Sequence, residues 1–187
     1  GFASTQIAPK PKVEWTAKVG GELTQPVADS ERVYVAATQR HSVHALNAGS
    51  GKTVWTYIAG GRVDSAPTLW QGRLLFGCAD GWVYCLRAKD GVLAWRFRAA
   101  PSERLITVFG QLENSWPVHG AVLVQNDTLY VVAGRNTYVD GGLRMFALNP
   151  TTGEQISTTH IQHLDAETGK QTGTEKGRSF DMEGVLA

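Results

Sequence analysis

The stretch Ala45-Leu46-Asn47-Ala48-Gly49-Ser50-Gly51-Lys52-Thr53-Val54-Trp55 recurs forty residues later as Cys85-Leu86-Arg87-Ala88-Lys89-Asp90-Gly91-Val92-Leu93-Ala94-Trp95. Each copy carries alternating apolar residues into a tight turn and leaves it on an apolar strand with tryptophan. The turn glycine, Gly51 or Gly91, takes positive φ without a Cβ penalty, so each copy predicts a β-hairpin. The tryptophan buries on the order of 150–250 Å² and has an N–H that needs an acceptor, which makes it the group that docks one hairpin on its neighbour. A weaker copy runs from Ala147 through Asn149 and Gly153 to Ser157, where the tryptophan is missing, and Trp15 stands forty residues before Trp55.

Four strands fit the unit ending at Trp95, near 66–70, 73–78, 82–87 and 92–97, with turns at Gln71-Gly72, Asp80-Gly81 and Asp90-Gly91. Four antiparallel strands per repeat of about forty residues describe a blade of a β-propeller. A helical repeat would show a 3.6-residue apolar period, and none is visible. The same phase places a linker at 1–12, the outer strand of a preceding blade at 13–18, blades at 24–58, 62–99 and 121–161, an inserted loop at 100–120, and a polar tail at 162–187 that runs toward the next blade. The expected fold is therefore all-β: a partial propeller of about three blades plus one strand, belonging to a larger ring of about seven or eight blades. The first partners expected are the remaining blades, from the same polypeptide or a second chain.

Composition narrows the function classes. Among 187 residues, 18 Lys and Arg nearly cancel 17 Asp and Glu, so no net field recruits nucleic acid or an anionic membrane. The apolar runs are strand-sized, and none spans a bilayer. Cys78 and Cys85 fall on the two strands of one hairpin, with Cys78 opposite Trp82 or Val83, and are expected to remain unbridged core residues.

Two insertions interrupt the repeat, one between Trp95 and Ala121 and one lengthening the hairpin at 134–142. In a four-stranded blade the connection between blades and the second-to-third hairpin emerge on one face, so both insertions decorate the same face. Arg104, Glu113, Asn114, Trp116, His119, Arg135, Asn136, Tyr138 and Asp140 form the candidate ligand site, because loops on a rigid scaffold are where binding residues gather. Arg135 has the fork geometry for a carboxylate, and Trp116 or Tyr138 can stack on a sugar or quinone ring. The plainer alternative is that the insertions pack together, with Glu113 and Asp140 pairing the arginines. Arg40-His41 at the first blade's hairpin tip reads as surface turn chemistry on the same face, and Asp64-Ser65 as a turn or strand edge. His160-x-x-His163-x-Asp165 has close spacing but lacks a fourth ligand, and in a strand its histidines point to opposite faces, so no metal site is expected.

The segments Ala45 to Trp55 and Cys85 to Trp95 resemble the quinoprotein-like propellers, whose docking repeat has this form. That group includes pyrroloquinoline quinone (PQQ) alcohol dehydrogenases and the propeller lipoprotein of the outer-membrane β-barrel assembly machinery. Trp95-Arg96-Phe97-Arg98-Ala99-Ala100-Pro101, the run from Gly110 to Gly120, Ala133-Gly134-Arg135 and Asp140-Gly141-Gly142-Leu143-Arg144 are similar to bacterial PQQ-like repeat proteins without settled activity. The sequence departs from the pattern: Asn47, Arg87 and Asn149 stand where the repeat usually has aspartate, Ser157 replaces tryptophan, and the adjacent-cysteine pair of many PQQ alcohol dehydrogenases is absent. The resemblance implies a periplasmic or extracellular protein. The expected function is a non-catalytic binding or assembly scaffold for a protein or polysaccharide ligand, with no cofactor. The alternatives are part of a PQQ-dependent oxidoreductase using PQQ with calcium, or a polysaccharide-acting enzyme. The structural docking residues expected throughout are Trp15, Trp55, Trp95, Gly51, Gly91 and Gly153.

Overall fold

A computed structural model describes residues 12–138 and 140–163. They form three four-stranded antiparallel meanders, with neighbouring strands always consecutive in sequence. The first blade comprises β1 (Val27–Ala28), β2 (Arg32–Ala37), β3 (Ser42–Asn47) and β4 (Thr53–Ile58). The second comprises β5 (Thr68–Trp70), β6 (Arg73–Gly77), β7 (Trp82–Arg87) and β8 (Leu93–Arg98). Between the second and third blades stands a hairpin, β9 (Leu105–Val108) and β10 (Gln111–Asn114). The third blade comprises β11 (Leu123–Gln125), β12 (Thr128–Ala133), β13 (Leu143–Leu148) and β14 (Gln155–Ile161). This is the partial propeller read from the repeat. Among the described residues no helix is long and apolar enough to cross a membrane.

Both faces of the second blade are buried, which is why its middle strands read as continuous apolar text. Leu74, Phe76, Tyr84 and Leu86 pack with Tyr34, Ala36, Val43 and Ala45 of the first blade. Leu75, Val83 and Cys85 pack with Val118, Leu129, Val131, Phe146 and Leu148 on the other side. The two free cysteines are both buried and belong to these opposite layers, Cys78 to the first and Cys85 to the second. Cys78 donates its backbone N–H to Trp82 at 3.0 Å, the pairing expected from the turn.

The seams repeat one device. Trp15 Nε1–H donates to the carbonyl of Ala48 at 2.7 Å, Trp55 Nε1–H to Ala88 at 3.0 Å, and Trp95 Nε1–H to Pro150 at 3.3 Å. Each ring lies over a turn glycine of the next unit: Trp15 over Gly51, Trp55 over Gly91 and Trp95 over Gly153. A Cβ at Gly91 would meet the Trp55 ring at 2.7 Å, and φ there is +72°, so both close approach and backbone conformation require glycine. Both Trp55 and Trp95 are only partly buried, each packed against the core layer of its seam. A bulge recurs at the same place in every blade, at Ala45/Leu46, Cys85/Leu86 and Ala147/Leu148.

Where the repeat's aspartate is replaced, the turns close by other means. The amide oxygen of Asn47 accepts the backbone N–H of Ser50, and that of Asn149 accepts Thr151. Arg87 cannot accept, and instead forks onto Asp90, whose Oδ1 takes the N–H of Val92.

Three expectations change. Residues 13–18 form no strand, and Trp15 docks on the first blade by its ring and N–H without a ladder. The insertion at 100–120 is not only a loop, since Val108-Phe109-Gly110-Gln111 closes the hairpin β9–β10. The inner strands are shorter than expected. Pro26 and Pro67 have no N–H to give a ladder, so β1 and β5 begin only after them, and Leu23 makes an isolated bridge to Ala37. The tail at 164–187 and nearly all of the linker lie outside the described residues.

Candidate functional site

The face carrying both insertions is organised around Glu113. This carboxylate is 1% exposed, on β10, paired across the hairpin with Ile106. Its Oε2 accepts Arg62 Nη2 at 2.9 Å, and its Oε1 is held in an ion pair by Arg135 Nη2. His119 stands at 3.7 Å from the same Oε1 by its Nε2 and bonds Asp64 through Nδ1 at 2.6 Å. Arg62 closes the set, 3.6 Å from Asp64. Burying one carboxylate is costly unless charges and donors surround it, and here two guanidinium groups do.

Local sequence explains each position. The first-to-second blade connection passes so close to the hairpin at Ala79-Asp80 that Gly60 and Gly61 have no room for a Cβ, and Ala79 N–H bonds the Arg62 carbonyl at 2.8 Å. That contact aims Arg62 beneath the inserted hairpin. Arg135 follows Gly134, whose φ of +116° starts the long hairpin of the third blade and whose N–H bonds Pro117 at 2.9 Å. Thus connections from three blades converge on one buried carboxylate. Desolvation raises the Asp64 carboxyl, but the His119 hydrogen bond and the nearby Arg62, His119 and His41 charges outweigh it and hold it below the usual range.

The remaining predicted residues lie on the same face and mostly hold its loops together. Asn114 is buried, donates to the Ser102 carbonyl at 2.9 Å and accepts the N–H of Trp116. Trp116 is 6% exposed, with Gly141 under its ring and the Arg144 guanidinium 5.4 Å from the ring centroid. Tyr138 stacks on His163 at 5.0 Å, and its backbone N–H bonds the Asn136 side chain. Arg104 pairs with Asp140 at 3.0 Å, linking the two insertions at the surface. The pairing of Glu113 and Asp140 with arginines is the plainer of the two readings the sequence allowed. His160 bonds the Gly141 carbonyl, so both histidines of the 160–165 run serve the second insertion, while Asp165 lies outside the described residues.

Three further residues on this face stand outside the candidate set: Arg62 and Phe109, and Asp64, expected only as a turn or strand edge. Arg62 and Asp64 flank the buried Val63 in a short connection, and a charged pair bracketing an apolar residue on the decorated side was the available signal. Phe109 sits at the tip of the inserted hairpin, 89% exposed. Beside it opens a groove of about 590 Å³ lined by Glu22, Leu23, Thr38, Gln39, Arg62, Asp64, Phe109 and His119. The hairpin reaches back to the first blade as well: Gln111 bonds Gln39 at 2.6 Å and His41 at 2.9 Å.

A quinone cofactor held through calcium needs carboxylate oxygens gathered and free to face a cation. Here Glu113 is clamped between guanidinium groups and Asp64 is engaged by His119, and no group of three His, Cys, Asp or Glu with metal-holding geometry occurs among the described residues. The described donor set does not fit such a site.

A family model described as outer membrane protein assembly factor BamB, built on the PQQ repeat, matches residues 7–169. The dehydrogenase subunit of a quinone alcohol dehydrogenase from Gluconacetobacter polyoxogenes is 28% identical over 81% of this chain and 19% of its own length. Outer membrane protein assembly factor BamB of Yersinia pestis is 30% identical over 43% of this chain and 19% of its own length. Quinohemoprotein alcohol dehydrogenase from Comamonas testosteroni superposes with a TM-score of 0.64 at 22% identity, over 80% of this chain and 23% of that one, a likeness of fold. The chain thus spans about a fifth of the length of these curated relatives. The match over 7–169, the docked tryptophans and the blade topology agree: the chain belongs to the PQQ-repeat β-propeller family described by outer membrane protein assembly factor BamB.

Proposed function

We propose that this segment serves a non-catalytic, quinoprotein-like propeller that acts as a binding or assembly scaffold in the cell envelope. The observation that carries this reading is the use made of the charges on the decorated face. Arg62, Glu113 and Arg135 fix an inserted hairpin across three blades, which is the work of a rigid display surface. The family description, an outer-membrane assembly factor, supports an envelope location and a role in holding other molecules. The remaining blades of the ring are the first partners of these three.

The second reading, part of a PQQ-dependent oxidoreductase, is favoured by the 28% identity to a quinone alcohol dehydrogenase subunit. In that case residues beyond the three described blades would supply the cofactor's ligands and the catalytic base. Dye-linked oxidation of primary alcohols by the full-length protein, supplied with PQQ and calcium, separates the two. The scaffold reading expects no dye reduction above the protein-free rate; turnover that depends on PQQ overturns it.

A further inference from the structure

The most exposed wall of the groove beside Phe109 is its least expected residue. Phe109 and Gly110 both have positive φ, +49° and +75°, between the paired Val108 and Gln111. A two-residue hairpin loop with both residues left-handed favours Asn-Gly; an aromatic ring in that conformation is strained and gains nothing from burial here. Strain of this kind persists where it serves a site. One face of the ring is braced by the Arg62 guanidinium, 5.7 Å from its centroid.

The polar wall narrows the ligand class. The amide oxygen of Gln39 is taken by Gln111, which leaves its N–H groups to donate. Asp64 uses Oδ2 toward His119 and keeps Oδ1 as an acceptor, and Glu22 adds a second carboxylate. The positive charge of Arg62 is already spent on Glu113 and Asp64. An anion would therefore meet two carboxylates and no spare cation, and an apolar peptide would find only one ring and Leu23. Planar donors and acceptors beside one open aromatic face suit alternating hydroxyls and C–H faces. A groove of about 590 Å³ lies in the range that takes a ligand of a few rings.

We infer that this groove binds a neutral oligosaccharide, with a sugar ring stacked on Phe109 and its hydroxyls shared between Gln39, Asp64 and Glu22. The inference rests on the scaffold reading and names its ligand class. The test is calorimetric titration of the full-length protein, without PQQ, with cellotetraose, maltotetraose and chitotetraose, and with choline chloride as the cationic rival. At least one tetrasaccharide is expected to saturate, Phe109→Ala to weaken it at least about tenfold, and Phe109→Trp to retain it. Because the ring is 89% exposed, Phe109→Ala should melt at the wild-type temperature, which separates loss of contact from loss of fold. No saturable binding by any of the three sugars, tighter binding of choline, or equal sugar affinity in Phe109→Ala overturns the inference. Dye reduction with PQQ would instead overturn the scaffold reading, so the two failures are distinct.

Discussion

Trp55 and Gly91 are joined across the first seam: the indole ring covers the glycine's Cα, and its N–H donates to the Ala88 carbonyl at 3.0 Å three residues earlier. The same geometry recurs at Trp95 over Gly153, with Pro150 accepting at 3.3 Å, so one substitution series tests the whole repeat. Trp55→Ala should cost about 3 kcal/mol, near the low end for large core aromatics because the ring is only partly buried. Trp55→Phe should cost less, about 1 kcal/mol, chiefly because the Ala88 carbonyl exchanges the indole N–H at 3.0 Å for the long contact from the Tyr34 hydroxyl at 3.4 Å alone. Urea unfolding of each variant measures both; equal costs would mean that the ring's packing in the seam contributes nothing beyond its hydrogen bond.

Glycine replacements discriminate packing from backbone conformation. At Gly91 a Cβ meets the Trp55 ring at 2.7 Å, whereas at Gly110, with φ of +75°, nothing lies within 4 Å. Gly110→Ala should therefore show only the left-handed penalty, about 1–2 kcal/mol, and Gly91→Ala more than that. Denaturation midpoints that fall in the reverse order would contradict the docking geometry.

Asp64 predicts the acid limb of stability. Its folded pKa is lowered, so it contributes stability above the unfolded value of about 3.9 and loses it as pH falls through the lower folded value. Asp64→Asn should lower stability at neutral pH and flatten its dependence below about pH 4. Thermal melts from pH 7 downward read this; an unchanged acid slope would show that His119 and Arg62 do not act on Asp64 as the distances imply.

Burial pushes the Cys85 thiol up to about 12 and the Cys78 thiol well above its usual value. Neither should react with a thiol reagent at neutral pH while the blades stay folded, and both should react in denaturant. Fast labelling of the native protein would contradict the placement of Cys78 and Cys85 in the two inter-blade layers.

What could be read from sequence divides along a physical line. The docking residues were legible because Trp15 and Trp55 each reach a carbonyl 33 residues on, while Trp95, whose acceptor lies 55 residues on beyond the insertions, was placed by the Asn149-to-Gly153 turn pattern. The second and third strands of each blade were legible, whereas the inner strands start late, after Pro26 and Pro67 in the first two blades, and 13–18 forms none. The common face of the insertions followed from strand order, and the joining of Arg104 to Asp140 and Glu113 to Arg135 agrees with it. Arg62 and Asp64 stayed hidden because their partners are about fifty residues away, contributed by another connection. Phe109 was missed because nothing in Val108-Phe109-Gly110-Gln111 distinguishes a buried aromatic from one held at an open hairpin tip.

Glu113 is the fixed point of the decorated face, and amide hydrogen exchange tests this most directly. Removing one partner of a buried ion pair typically costs about 3–5 kcal/mol, because the remaining charges lose their compensation. In Glu113→Gln, the amides of β9 and β10 and of the Arg135 hairpin should lose protection, while β6 and β7, buried in both layers, keep theirs. Unchanged protection in β9 and β10 would contradict the claim that this carboxylate pins the hairpin across three blades.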